Sequence, residues 1–351
     1  SVSVAATKNW LATDAVIKVT ITPRPVVIEW DEKTLEFTYD KNEHVPEAIV
    51  SNLVNTDKAE LEILGKQTNA GVDYTATVIK VLNGNYTLEG GTNLTTTFTI
   101  HKAPITVVVD TQTNAVYKQD YALSISGNEG GGEVVYTVEN GYDGTDGNAT
   151  VNGATLSPMH VGKVLITAVV EETANYLGGT GYGILVIDRA PMQLEMSPTE
   201  AVYGTSTQII ITGNGEEGDF GALTYAVTTL SGGTASISAD GILDPTHIGT
   251  VTLTVTAAQT DNYLETTKEF TVTIQPRPVK ITWEDLSFLY DGSTHNPTPT
   301  VVETVNGEEV TVTEMTPPQK NVVAADGTRK HKASAIKLSN ENYTVENGEG
   351  V

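Results

Sequence analysis

The sequence predicts an all-β chain, elongated and built as a tandem array of small modules, and three observations carry that reading. An asparagine followed by an aromatic residue occurs five times, as Asn9-Trp10, Asn85-Tyr86, Asn175-Tyr176, Asn262-Tyr263 and Asn342-Tyr343. The asparagines stand 76, 90, 87 and 80 residues apart, each interval the size of a small β domain. Each copy ends or follows a run of alternating Val, Ile, Leu and Thr, and most precede another such run. The dipeptide therefore reads as a turn between strands: asparagine tolerates the left-handed backbone of a tight turn, and the aromatic anchors the hairpin in a core. A structural role is expected, because no single ligand site needs five copies at domain spacing.

Composition narrows the function classes. The 351 residues include 20 Lys and Arg against 44 Asp and Glu, a formal charge of −24 that repels nucleic acid and anionic membrane surfaces. The sequence has no cysteine, which removes disulfides, thiolate metal sites and cysteine nucleophiles but leaves the redox compartment open. Ser1 to Trp10 lacks the basic start and apolar core of a signal peptide, and no stretch reaches the length of a membrane span.

Taken in order, residues 1–21 match residues 254–274. Trp10 stands 253 residues before Tyr263, and Ile21 stands 253 before Ile274. The first 21 residues are therefore expected to be the tail of a truncated immunoglobulin-like module, with a strand at Ile17 to Ile21. The offset persists through Pro23-Arg24-Pro25 and Pro276-Arg277-Pro278, which read as stiff, extended linkers because proline cannot donate to a sheet ladder. Beyond them Val26, Ile28 and Trp30, and again Val279, Ile281 and Trp283, alternate with outward residues in the period-2 pattern of a half-buried strand. Phe37-Thr38-Tyr39-Asp40 and Phe288 to Gly292 read as strands ending in turns. Further strands are expected around residues 61–64, 74–81, 95–100, 310–312 and 332–337, and residues 46–54 fit a short helix or a strand about equally.

The middle of the chain holds two copies of another unit. Ala103-Pro104 matches Ala190-Pro191, Tyr117 matches Tyr203, and Tyr136 matches Tyr225. Pro158-Met159-His160-Val161-Gly162 matches Pro245-Thr246-His247-Ile248-Gly249, ahead of strands at 164–169 and 251–257. Six or seven short strands per copy, separated by Gly, Asn and Asp turns, predict an immunoglobulin-like sandwich.

Two family resemblances follow from these residues. A Tyr-Asp-Gly turn after the Pro-linked first strand (Tyr290-Asp291-Gly292, with Asp40-Lys41 in the first copy), the Asn69-Ala70-Gly71 turn and a closing Asn-Tyr-Thr resemble the mostly-β grasp-like (MBG/YDG-type) modules of bacterial surface proteins. The middle copies, with a glycine turn before a Val-Thr-rich strand, resemble bacterial immunoglobulin-like domains of surface adhesins. Together the expected organisation is 1–21, tail of a truncated immunoglobulin-like module; 22–101, β-grasp-like; 102–187 and 188–274, immunoglobulin-like; and 275–351, β-grasp-like with its last strand missing. Open sheet edges at both ends risk artificial pairing between molecules, and the chain is otherwise expected to be a monomer.

Chemistry-bearing residues are sparse. His160 and His247 occupy matching turns without a second histidine or cysteine at ligand spacing, which favours a structural role; His44, His101, His295 and His331 lie scattered in polar segments and are expected to be exposed. The glycine-rich run 127–132 lacks the Lys-Ser or Lys-Thr of a phosphate loop. Asp143 and Asp146, in Asp143-Gly144-Thr145-Asp146-Gly147-Asn148, are the calcium candidates, although their spacing fails the EF-hand pattern. Glu29, Asp31 and Glu32 offer a second calcium position near a module junction. Trp30 and Trp283 read as core rather than sugar platforms, as do Tyr117, Tyr136, Tyr203 and Tyr225. Lys102 and Lys163 lie where a Lys–Asn isopeptide bond between strands is conceivable, a solvated lysine being the ordinary reading. The expectation is a non-enzymatic stalk or adhesin spacer of an extracellular bacterial protein, at the cell surface or secreted, without cofactor other than the calcium candidates. A ligand-binding array for a host protein or glycan, or an accessory region of an extracellular carbohydrate-active enzyme, is the alternative.

Overall fold

A computed structural model describes residues 2–11, 13–214, 221–323, 327 and 332–346. The described residues form strands, turns and three single-turn 3-10 helices, Glu32–Thr34, Tyr142–Gly144 and Val305–Gly307; none lies in an α-helix. The chain divides into two units, residues 1–115 with 120–186, and residues 187–351 with 116–119.

In the first unit, Val2–Val4 pairs antiparallel with Thr13–Ala15, and residues 16–23 join no strand. The strand expected at Ile17 to Ile21 does not form: Ile17 and Ile21 are exposed, and among the described residues no strand lies beside them to satisfy their backbone or cover their side chains. Residues 24–101 build two sheets. One has the order Ala48–Val50, Arg24–Trp30, Tyr86–Thr92; the other Glu36–Thr38, Thr95–His101, Gly71–Val81, Leu61–Leu64. Alternation puts Val26 and Ile28 of the first strand inward against Val50, Val78 and Tyr86. Ala76, Phe98 and Ile100 form a second cluster, and Trp30 and Ile63 touch both. The residues read as helix or strand at 46–54 settle as the strand Ala48–Val50 and a turn.

The Pro-Arg-Pro segments are not linkers. Arg24 and Pro25 already belong to the first strand, parallel to Tyr86 and Thr87, and Arg277 and Pro278 pair likewise with Tyr343 and Thr344. The proline is tolerated because only one neighbour runs beside it; the antiparallel partner of this strand begins at Ile28 in the first copy and at Lys280 in the second.

Residues 103–188 and 190–275 are immunoglobulin-like sandwiches of one strand order. In the first, Ala115–Val116, Gly179–Asp188, Gly162–Val170 and Val134–Glu139 form one sheet and Tyr121–Ala122, Thr155–His160 and Asn148–Asn152 the other. In the second, Glu200–Val202, Thr266–Gln275, Gly249–Ala257 and Leu223–Ser231 face Thr207–Gln208, Ile242–His247 and Thr234–Ile237. Each interior comes from every second residue of the strand after the His turn: Val164, Ile166 and Ala168, then Val251, Leu253 and Val255, all wholly buried. Residues 277–345 repeat part of the first fold, with the order Thr298–Val302, Arg277–Glu284, Tyr343–Val345 and the pair Val312–Met315 with Ala335–Leu338. The strands read at 310–312 and 332–337 are thus displaced toward the C-terminus by a few residues.

Candidate functional site

The five-fold dipeptide does more than turn the chain. Within the first unit, Tyr176 closes the turn after Val170 of the sandwich at 103–188, yet its ring meets Tyr39 of the 24–101 fold edge to face, with centroids 5.2 Å apart at 79°. Asn175 beside it accepts a hydrogen bond from the Ala70 backbone N–H at 2.8 Å through Oδ1 and donates from Nδ2 to the Asn69 side chain at 3.0 Å. Within the second unit the arrangement returns. Tyr343 meets Tyr203 at 5.4 Å and 84°, and Asn342 Oδ1 accepts from the Ile248 N–H at 2.9 Å. Tyr117 and Tyr263, also in the second unit, pair at 5.3 Å and 88°. Edge-to-face pairs of this spacing align the positive edge of one ring with the negative face of the other.

The second-unit joint is the more elaborate. Tyr203 donates from its hydroxyl to Glu308 Oε1 at 2.7 Å, and Tyr343 donates to Oε2 of the same carboxylate at 2.9 Å. Tyr343 also accepts from the Val305 N–H at 2.9 Å, while Arg277 reaches the Thr205 hydroxyl at 3.1 Å and His247 lies 3.5 Å from the Glu341 carboxylate. Close approach requires Gly204: its φ is +66°, and a Cβ there would stand 2.2 Å from Val305 Cγ2. The clasp has a counterpart in the first unit, where Tyr86 donates to Asp57 at 2.9 Å and accepts from the Val54 N–H at 2.7 Å.

Burial, reinforced by the Glu308 carboxylate, pushes the Tyr203 phenol up to about 12, and burial raises Tyr343 as well. A phenol whose folded pKa lies above its ordinary 10.0 contributes stability that is complete below pH 10.0 and is lost as pH rises through about 12. The expected result is a joint that loosens between these values, and Tyr203→Phe removes the Tyr203 part of that alkaline transition and leaves that of Tyr343; absorbance titration at the tyrosinate band, run beside hydrogen exchange of the Val305 amide, checks it.

The residues singled out by sequence fall as follows. Tyr117 and Tyr203 are buried as expected, but the Tyr203 ring is covered by Tyr343 rather than only by its own sandwich; Tyr136 and Tyr225 are half-buried. His160 and His247 fold alike, each with Nδ1 about 3 Å from the next residue's carbonyl (3.0 and 2.9 Å). The 127–132 run closes on itself through two Asn128–Gly132 hydrogen bonds and rests against Tyr176. Asp143 pairs with Lys163 at 2.7 Å, which holds its carboxyl below the usual range, and Asp146 is exposed; among the described residues no three acidic or histidine side chains gather at a metal-binding distance. Asp31 caps the turn at Lys33, Glu29 and Glu32 point outward, and Lys102 pairs with Glu172 at 3.2 Å.

His44 and His295 are not scattered exposed residues. Each lies half-buried, stacks on a phenylalanine (Phe37 at 4.4 Å, Phe288 at 4.7 Å) and meets a carboxylate (Asp40 at 2.7 Å, Asp291 at 2.8 Å). The hydrogen bonds of Asn42 and His44 bring the Asp40 carboxyl down to about 2. His101 is largely exposed, 3.6 Å from Glu36, and His331 lies outside the described residues. The signal that identifies this trio was present in the sequence: Phe, Asp and His recur together at one offset of 251 residues.

No family profile and no curated protein matches the chain. Among solved structures it is similar to domains 4 and 5 of the S-layer protein SbsC, at 12% identity over 49% of this chain and 99% of that one with a TM-score of 0.22. It is also similar to the insect immune protein hemolin (12% identity, 72% of each chain, TM-score 0.28). Drosophila N-cadherin EC1-3 aligns at 14% identity over 73% of this chain and 99% of that one, with a TM-score of 0.22.

Proposed function

We propose that this chain is a non-catalytic repeat region of a bacterial cell-surface protein, a spacer or stalk that carries other parts of the molecule away from the cell. In this reading residues 22–101 and 275–351 are mostly-β grasp-like modules and 102–187 and 188–274 bacterial immunoglobulin-like modules, acting outside the cell without a cofactor. The observation that supports it is the joint: the same Asn-Tyr dipeptide locks a tyrosine of the preceding fold in each unit, at Tyr39–Tyr176 and at Tyr203–Tyr343. A repeated side-chain lock serves a part whose role is to transmit position or tension. No helix among the described residues is long and apolar enough to cross a membrane.

Single-molecule extension of the chain tests this. A spacer is expected to give several separate unfolding events of similar length, because parallel pairs between early and late strands of a fold, such as Arg24–Trp30 with Tyr86–Thr92 and Glu200–Val202 with Thr266–Gln275, load their hydrogen bonds in shear, and solution scattering is expected to give an extended particle. A compact particle that yields in one event would sink the stalk reading.

A further inference from the structure

The joint within the first unit holds two phenols that hydrogen bonding does not use. Tyr39 and Tyr176 meet edge to face at 5.2 Å between centroids, and among the described residues neither hydroxyl makes a hydrogen bond. Both residues are anchored through their backbones: the Tyr39 N–H donates to the His101 carbonyl at 2.9 Å, and the Tyr176 carbonyl accepts from the Thr173 N–H at 2.9 Å. The glycine run at 127–132 backs the second ring, since a Cβ on Gly130 would stand 2.9 Å from Tyr176 Cδ2. Phenylalanine would make the same ring contact. What a phenol adds, with its hydroxyl unpaired, is ease of one-electron oxidation.

The other tyrosines set this pair apart. Tyr117–Tyr263 and Tyr203–Tyr343 meet at similar distances, but all four rings are 7% exposed or less and are closed to a dissolved oxidant. Tyr182 is open, at 65% exposure, yet has no aromatic partner among the described residues. Tyr39 and Tyr176 are half-buried, so they combine access with a neighbouring ring.

We propose that Tyr39 and Tyr176 form an oxidative cross-linking site, at which a peroxide-driven one-electron oxidant joins the 24–101 and 103–188 folds as an o,o′-dityrosine. Each phenol gives up one electron and, to solvent, one proton. The two phenoxyl radicals couple through a new carbon–carbon bond between their Cε atoms, and the hydrogen on each coupled carbon moves to its phenol oxygen, restoring both rings. The pair loses two electrons and two protons in all, and the peroxide bond breaks as it takes up the electrons. Because the partners are already held together, coupling is intramolecular and outruns encounters between molecules. The linked joint closes a loop of chain from residue 39 to residue 176, which extension can no longer pull apart. The inference stands on the geometry of this pair and does not depend on the spacer reading.

The test uses the full 351-residue chain in dilute solution, oxidised with photo-generated tris(bipyridyl)ruthenium(III) and persulfate, itself a peroxide. Digestion and mass spectrometry of the monomer are expected to find peptides bearing Tyr39 and Tyr176 joined with the loss of two hydrogens, at least about tenfold above any other tyrosine pair. Chain unfolded in urea and treated alike is expected to lose that preference. Tyr176→Phe and, separately, Tyr39→Phe are expected to abolish the link while keeping the melting temperature close to that of the parent, since neither gives up a hydrogen bond. No link between Tyr39 and Tyr176 in the monomer, an equal yield from the unfolded chain, or products dominated by Tyr182 joined between molecules would overturn the proposal.

Discussion

Tyr343→Ala is expected to destabilise the 277–345 fold by about 3–5 kcal/mol, the range for deleting a buried aromatic side chain. The ring is 4% exposed, supports Tyr203 from one side, and through its hydroxyl holds both the Val305 N–H and the Glu308 carboxylate. Tyr343→Phe keeps the ring contact and loses only these hydrogen bonds, so about 1.5–3 kcal/mol of the effect is expected to remain, as for bonds to a charged group. The diagnostic quantity is the coupling between Tyr343 and Tyr203. A cycle combining Tyr343→Ala with Tyr203→Ala, followed by chemical denaturation, is expected to return about 0.5–1.5 kcal/mol for the ring pair, and more if the shared carboxylate is counted. Strictly additive losses would mean that the two rings are neighbours without being a joint.

Gly249→Ala is the second large effect, expected to cost about 3 kcal/mol or more and to lower the melting temperature of the affected fold by more than about 10 °C. Gly249 has φ +127°, where an L side chain is strained, and an added Cβ would stand 2.4 Å from the Gly233 nitrogen and 2.7 Å from the Gly232 carbonyl carbon. Those are backbone atoms of the adjoining turn and cannot retreat. Gly162 repeats the geometry with φ +140° and the Gly147 nitrogen at 2.3 Å, so Gly162→Ala is expected to act alike in the first unit. At Gly204 the atoms met are instead side-chain atoms of Val305, Cγ2 at 2.2 Å and Cγ1 at 3.1 Å. A melting curve for Gly249→Ala within a few degrees of the parent protein would show that the turn relaxes more easily than its backbone contacts imply.

Much of the fold was legible in one dimension. Period-2 alternation at Val26, Ile28 and Trp30 predicts an inward face, and Val26 and Ile28 are buried with Trp30 packed on their cluster. The spacing of the Asn-aromatic dipeptide identified repeats because repetition needs no knowledge of contacts. A separate offset, of 251 residues, carries the Phe-Asp-His trio of His44 and His295, a signal that exists only when the three residue types are compared together. The proline segments misled for a different reason. Proline forbids a strand only where neighbours run on both sides, and which edge is free is a property of the sheet, not of the residue.

What the sequence by itself determined is therefore the all-β class, the repeat length, the inward-facing residues of the main strands and the recurrence of an asparagine-tyrosine turn. What only the tertiary structure decided is whom that turn touches. Tyr203 and Glu308 are 105 residues apart in the chain and 2.7 Å apart in space. The Trp30 indole likewise finds its partner, the Asn93 carbonyl at 2.8 Å, 63 residues along the chain. Burial patterns are local because a strand's two faces are set by its own pleat, whereas a joint depends on how two finished surfaces meet, and no periodicity in either surface records its partner.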